Sequence, residues 1–318
     1  MGTERKMVLI PLCRKGDRAG IEKHLRAGAD IQETDVEGNT PLHVAVEAPR
    51  NETATLQCLI EHGACIDEPN DLGATPLHYV VLRKTNQRGV AKLLLEHGAE
   101  VDARTLTGKT PLHFACEYHA HEVVEVLCLY KADTNLLDST GSAPVHKLLD
   151  GREGRDTVKN QILDSLLRIG SEVQFANMSG FQPLHLASRW GHTRCVRCLL
   201  EHGANPTSPT HAGQLALHLA CQSRNPQVVQ LILEWCPFQG DEADSEGNTA
   251  LHHCAMSGSL DCASLLLKSG ADTTIKNSQK KTALELARQR GSTDLNGTFC
   301  PELAGAIEDG KRSRCIQS

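Results

Sequence analysis

Two cysteines and a recurring histidine are the residues of this 318-residue chain best suited to metal, redox or acid–base chemistry. Cys195-Val196-Arg197-Cys198 has the spacing of a redox dithiol or of half a zinc site. A redox pair belongs where a strand meets a helix start, and a zinc site needs a second ligand pair nearby. This pair has neither setting: it lies inside an apolar helical stretch, just before Leu199-Leu200, and reads as core packing. His252-His253-Cys254 reads as one recurring histidine, one neighbour and one small core residue. The recurring histidines are His43, His78, His113, His146, His185, His218 and His252, too widely and evenly spaced to converge on one metal ion. There is no phosphate-cradling glycine loop, no His-Glu-x-x-His and no Gly-x-Ser-x-Gly element. Paired carboxylates fall in polar loops, where water keeps a pKa near its ordinary value. The expectation is a protein without enzymatic activity, with no catalytic residue, metal site or cofactor assigned.

What positions these histidines is a repeat. Each closes a four-residue signature: Thr40-Pro41-Leu42-His43, Thr75-Pro76-Leu77-His78, Thr110-Pro111-Leu112-His113, then the weaker copies that begin at Ala143, Gln182, Leu215 and Thr249. An eighth copy, Thr282-Ala283-Leu284-Glu285, lacks the histidine, and successive copies start 35, 35, 33, 39, 33, 34 and 33 residues apart. A period in that range marks units that bury their apolar faces only against their neighbours. Within a unit, Thr40 is placed to cap a helix start and Pro41 fits the first helical position, where its missing N–H costs nothing. Leu42 and Ala45 share one strip of a short helix. A second apolar helix follows, as at Leu93-Leu94-Leu95 and Leu265-Leu266-Leu267, and stops at Gly-Ala, as at Gly63-Ala64 and Gly203-Ala204. A polar turn such as Asp35-Val36-Glu37-Gly38 then leads to the next cap.

With this period and signature the chain resembles the ankyrin-repeat family over roughly residues 5 to 310. The resemblance implies an all-α fold, an α-solenoid of stacked helix-turn-helix repeats joined by β-hairpin-like loops. It implies a single array over 1–310, with an N-terminal cap at about 5–35, eight signature-bearing repeats and a C-terminal cap at about 292–310; 311–318 forms a basic tail. It also implies that each signature histidine hydrogen-bonds within its repeat and to the next. The departures are Leu215-Ala216, which lacks both Thr and Pro, Trp235-Cys236-Pro237 and Lys131 in place of the glycine stop, and an insertion from Asp150 to Asp156. Loss of a cap typically costs about 1 kcal/mol, so repeats five to seven are expected to be the weaker ones. The insertion is polar and glycine-rich, like an exposed loop.

Composition narrows the function further. Net charge is −6 with both signs dispersed, which disfavours a nucleic-acid reader. The acidic run Asp241 to Glu246 reads as a solvated hairpin tip. No apolar run approaches a membrane span, and Met1 to Lys6 has neither a signal-peptide core nor the myristoylation pattern. The 13 cysteines then read as reduced thiols in a monomeric cytoplasmic or nuclear protein. The chain ends Cys315-Ile316-Gln317-Ser318, which resembles a prenylation box apart from Gln317; membrane association would depend on Cys315, and chance placement is the alternative.

By the same resemblance, partners bind on the side formed by hairpin tips and first helices. The residues at the ends of the first helices are the candidates: Glu47, Arg83, Glu117, Tyr118, Arg189, Trp190, Met256 and Arg290, joined by Phe181 in the loop before a signature. Tyr118 and Trp190 stand out in a chain that is only 3% aromatic, although Trp190 could equally cover the neighbouring repeat. Related arrays are hydroxylated at an asparagine placed like Asn135, which otherwise reads as a hairpin-stabilising residue. The expected function is an interaction adaptor or scaffold whose partner proteins the sequence does not name. Two alternatives are a substrate-recognition subunit of a ubiquitin ligase, which would carry an added box, and a prenylated regulator at membranes.

Overall fold

The computed structural model describes residues 7–48, 53–237, 240–291, 305, 307 and 308. The chain packs as two compact units, residues 1–148 with 164–171 and residues 149–163 with 172–318. In the first unit, helices pair as α1 (Leu9–Lys15) with α2 (Arg18–Arg26), α3 (Pro41–Glu47) with α4 (Thr53–Glu61), and α5 (Pro76–Tyr79) with α6 (Gln87–Glu96). α7 (Pro111–Glu117) pairs with α8 (His121–Leu129), while α9 (Pro144–Leu149) and α10 (Asp156–Arg168) are divided between the units. The second unit pairs α11 (Pro183–Trp190) with α12 (Thr193–Glu201), α13 (Ala216–Ser223) with α14 (Pro226–Trp235), and α15 (Ala250–Ser257) with α16 (Leu260–Lys268). α17 (Ala283–Gly291) follows. No strand occurs among the described residues, only an isolated bridge between Lys276 and Thr282. The fold is the all-α repeat architecture expected.

Each unit is two-layered. First helices α1, α3, α5 and α7 pack in succession, as do second helices α2, α4, α6 and α8; α11, α13, α15 and α17, and α12, α14 and α16, repeat the arrangement. The signature leucine and the second-helix leucine meet between the layers, and Leu42, Leu59, Leu77, Leu94, Leu112, Leu127, Leu199, Leu217 and Leu251 are all fully buried. Each such side chain contributes about 1.5–3 kcal/mol. Glu33 closes the N-terminal end: its carboxylate accepts the N–H groups of Val8, Leu9 and Ile10 at 2.7–3.0 Å, satisfying the start of α1, where Val8 offers no side-chain cap.

The loops are built on a side-chain acceptor five residues before each helix cap. Asp35 Oδ1 accepts from the N–H groups of Glu37 and Asn39, and Asn70 Oδ1 from Leu72 and Ala74, all at 3.0 Å. Asp138, Asn177, Asp244 and Asn277 do the same, and Thr105 and Thr210 serve with a hydroxyl. Successive tips are joined by backbone bonds, such as Asp71 N–H to Glu37 O and Leu106 N–H to Leu72 O. Gly38 is held there at φ 75°, where a Cβ would lie 2.8 Å from the Asp71 nitrogen. Lys131, lacking the usual glycine, takes the left-handed conformation at φ 61°. The acidic run at Asp241 is solvated as expected at Glu242 and Glu246, but Asp244 is buried as part of this scaffold.

Candidate interaction surface

The signature histidines cross-link the repeats. Nδ1 of His43 accepts from the Thr40 N–H and hydroxyl at 3.2 and 2.9 Å, while its Nε2–H donates to Ala74 O at 2.9 Å. His78 reaches Lys109 O, His113 Ser142 O, His185 Ser208 O, His218 Glu242 O and His252 Lys281 O, at 2.8–3.2 Å. Both ring nitrogens are committed, one as acceptor and one as donor, so the ring must be neutral. Burial pushes these histidines down in pKa, to about 4 for His78, His113 and His218. Where Thr is lost, the backbone still binds: the N–H groups of Ala143, Gln182 and Leu215 donate to their histidines at 2.9–3.1 Å. The degenerate signature at Leu215 thus loses a hydroxyl and keeps the backbone bond.

The cysteine pair of α12 and the groups around His253 are enclosed. Cys195 and Cys198 lie buried in α12; burial pushes the Cys195 thiol up, and Sγ donates to Asp156 Oδ1 at 3.7 Å. Cys254 is driven up by burial, whereas its contact with Cys262 brings the latter down to about 7. His253 pairs with Asp244 at 2.9 Å and meets Gln222 at 3.0 Å, with His253 and Asp244 both buried. Burial lowers the pKa of His253, and Asp244 also stays low despite burial because it accepts from Asn248 and His253. Among the described residues no group of three or more His, Cys, Asp or Glu could hold a metal ion.

In the first unit, Glu47, Glu117 and Tyr118 are exposed at the ends of α3 and α7. Tyr118 is 52% exposed and stacks on Phe114 at 6.4 Å, and Glu117 pairs with Lys109 at 2.6 Å. Glu47 lines a cavity of about 260 Å³ with Arg14, Asp35 and Glu37. Arg83 corrects its expectation. It is only 4% exposed, and Nη1 donates to the carbonyls of Ala45, Val46 and Ala48 at 3.3, 2.7 and 3.1 Å. The guanidinium caps the C-terminal end of α3, where unpaired carbonyls and the helix dipole favour a cation. The short α5 and its 3₁₀ turn, Val80–Leu82, deliver it there.

In the second unit, Arg189 is exposed, and its guanidinium lies 5.4 Å from the Phe181 ring and 5.6 Å from that of Trp190. The half-buried Trp190 donates Nε1–H to Asp150 Oδ1 at 3.0 Å, so the ring braces the insertion loop while one part stays in solvent. Met256 is 38% exposed at the end of α15. Arg290 belongs to the last turn of α17, and its side chain and Cys315 lie outside the described residues. Asn135 donates Nδ2–H to Gly170 O at 3.0 Å, as Gln174 does to Gly203 O at 2.7 Å, so it ties its loop to the next repeat.

Sequence reasoning missed the acceptors at Asp35, Asn70, Thr105, Asp138, Asn177, Thr210, Asp244 and Asn277. Their constant place five residues before each cap is the signal that would have found them. It also missed Lys159, a fully buried lysine in α10 whose Nζ meets Gly151 O and His192 Nε2, each at 2.9 Å. Burial lowers its pKa to about 8.

A family pattern described as ankyrin repeats (3 copies) matches residues 9–105, 155–241 and 234–296, and one described as ankyrin repeats (many copies) matches 94–148. The chain belongs to the ankyrin-repeat family. It is similar to Ankyrin repeat and SOCS box protein 11 of Danio rerio, 36% identical over 114 residues, covering 36% of this chain and 38% of that protein. It is also similar to the B-cell lymphoma 3 protein homolog of Mus musculus, 34% identical over 145 residues, covering 43% and 31% of the two. A third relative is Transient receptor potential cation channel subfamily A member 1 of Drosophila melanogaster, 30% identical over 132 residues, covering 39% and 11%. The chain thus spans well under half the length of the curated relatives it matches. Ankyrin repeats mediate protein–protein interaction, and that capacity comes with the family.

Proposed function

We propose that this ankyrin-repeat protein is a non-enzymatic adaptor or scaffold that captures partner proteins on the exposed ends of its first helices and on its hairpin tips. The supporting observation is the cluster of Phe181, Arg189 and Trp190, an exposed arginine whose guanidinium lies within 5.4 and 5.6 Å of two aromatic rings. Aromatic and arginine side chains dominate interface energetics, and a side chain fixed before contact loses little entropy on binding. The histidine cross-links hold the helices that carry these residues, so binding needs little backbone ordering. Proximity labelling in cells with the intact protein and with Trp190→Ala tests this. A partner set that weakens in the variant, with thermal unfolding unchanged, agrees with the proposal; labelling identical in both, or turnover of a small molecule by the purified protein, contradicts it.

A second reading is supported by the names of two relatives, Ankyrin repeat and SOCS box proteins 11 and 16. In it the repeats recruit substrates to a ubiquitin ligase, and the labelled set contains cullin components.

A further inference from the structure

Arg152, Arg155, Arg189 and Arg194 are exposed around the insertion loop, and Arg224 is exposed one repeat further on. The contacts bring these turns together. Asp150 receives the Trp190 indole, Asp156 Oδ2 accepts the Arg194 N–H at 3.1 Å, and Asn225 Nδ2–H donates to Gly191 O at 2.9 Å. Turns of neighbouring repeats then lie about 8–10 Å apart, the spacing of packed helices. The charge balance there runs against that of the chain, which is −6 overall. The nearby carboxylates are Asp150, Glu153 and Asp156, and two of them are engaged by neutral donors: Asp150 by an indole N–H, Asp156 by a backbone N–H and the Cys195 thiol. Among the described residues none of the five arginines forms an ion pair with a carboxylate, whereas Arg14, Arg26, Arg88 and Arg288 do.

The loop is also held in place. Lys159 Nζ and His192 Nε2 both meet Gly151 O at 2.9 Å, from beneath the residues that carry Arg152 and Arg155. A guanidinium with no carboxylate partner within the protein presents a planar fork of donors that matches a carboxylate. A group of such forks beside two half-buried aromatic rings calls for a segment with several carboxylates and an apolar side chain among them. Resting on the adaptor reading above, we propose that this face of the second unit docks an acidic protein segment, its Asp and Glu carboxylates pairing with Arg152, Arg155, Arg189, Arg194 and Arg224 and one apolar side chain seated on Phe181 and Trp190.

The test uses the full purified chain and a fluorescein-labelled peptide of 14 residues, rich in Glu with a central Leu, read by fluorescence anisotropy. The expected result is affinity at least about tenfold above that for the same peptide with Gln for Glu, weakening as salt rises. Arg189→Glu with Arg194→Glu should lower it about tenfold again, and Arg152→Ala with Arg155→Ala, which lie in the exposed loop, should lower it while circular dichroism is unchanged. Equal affinity for the Gln peptide, or affinity that survives both double substitutions, overturns the proposal. So does selective binding of a labelled oligonucleotide of the same charge without binding of the Glu peptide. Should cellular labelling depend on Trp190 yet ignore these arginine substitutions, the adaptor reading stands and the acidic partner falls.

Discussion

Nη1 of Arg83 lies 2.7 Å from the carbonyl oxygen of Val46, a residue of the preceding repeat. With Ala45 and Ala48 this one nitrogen meets three carbonyls at the end of α3, and Nε of the same side chain donates to Thr85 O at 3.1 Å. Hydrogen bonds to a charged donor contribute about 1.5–3 kcal/mol, and a buried acceptor left unpaired costs more. Arg83→Ala is therefore expected to destabilise the protein by about 2–4 kcal/mol in urea unfolding, with Arg83→Lys recovering only part, since a lysine has no second nitrogen to reach Thr85 O while its head meets the α3 carbonyls.

Acid should unlock the histidine cross-links. His78, His113 and His218 sit at about 4 in the folded chain because of burial, against an ordinary value of about 6.5 unfolded. Between those values the unfolded chain binds more protons, so stability is full above about pH 6.5 and falls as pH drops toward 4. These three residues alone should take up about two to three protons on unfolding near pH 5. Melting temperatures and calorimetric heats in buffers of different ionisation enthalpy measure both; a flat stability profile over that window would contradict neutral, bonded rings.

Restoring a hydroxyl cap should stabilise a weak repeat. At Thr40, Thr75, Thr110 and Thr249 the hydroxyl lies 2.9–3.0 Å from its histidine, whereas Gln182 sends its side chain to Gln174 O. Gln182→Thr is expected to add about 0.5–1 kcal/mol, read as a raised urea midpoint at unchanged slope.

The insertion loop is held by the Trp190 indole N–H at Asp150 and by contacts at Gly151 O. Trp190→Phe keeps the ring and deletes the donor to Asp150, so exposed Arg152 and Arg155 should be cut by trypsin several-fold faster while global stability changes by less than about 1 kcal/mol. Unchanged cleavage rates would mean that the anchor at Gly151 alone holds the loop.

How much of this was legible in the sequence differs by level. The helices, their leucine contacts and the histidine links follow from the Thr-Pro-Leu-His period, because the repeat reuses one local solution. The eight hairpin acceptors were equally periodic and went unread because Asp, Asn and Thr alternate there, hiding one hydrogen-bonding role behind three residue types. Arg83 was misplaced for a different reason. Its position matches that of exposed Tyr118 in sequence, but α5 stops after one turn, and the shortened helix swings the side chain inward. Lys159 could not be anticipated, since its partners Gly151 and His192 belong to an insertion and to the next repeat.

The central claim is that partner proteins are held on first helices and hairpin tips. Hydrogen–deuterium exchange of the full chain, alone and with a captured partner, tests it most directly. The account predicts added protection in residues 181–194 and at the ends of the first helices, with the second helices α14 and α16 and the part of α12 beyond Arg194 unchanged. Protection confined to those second helices would contradict it.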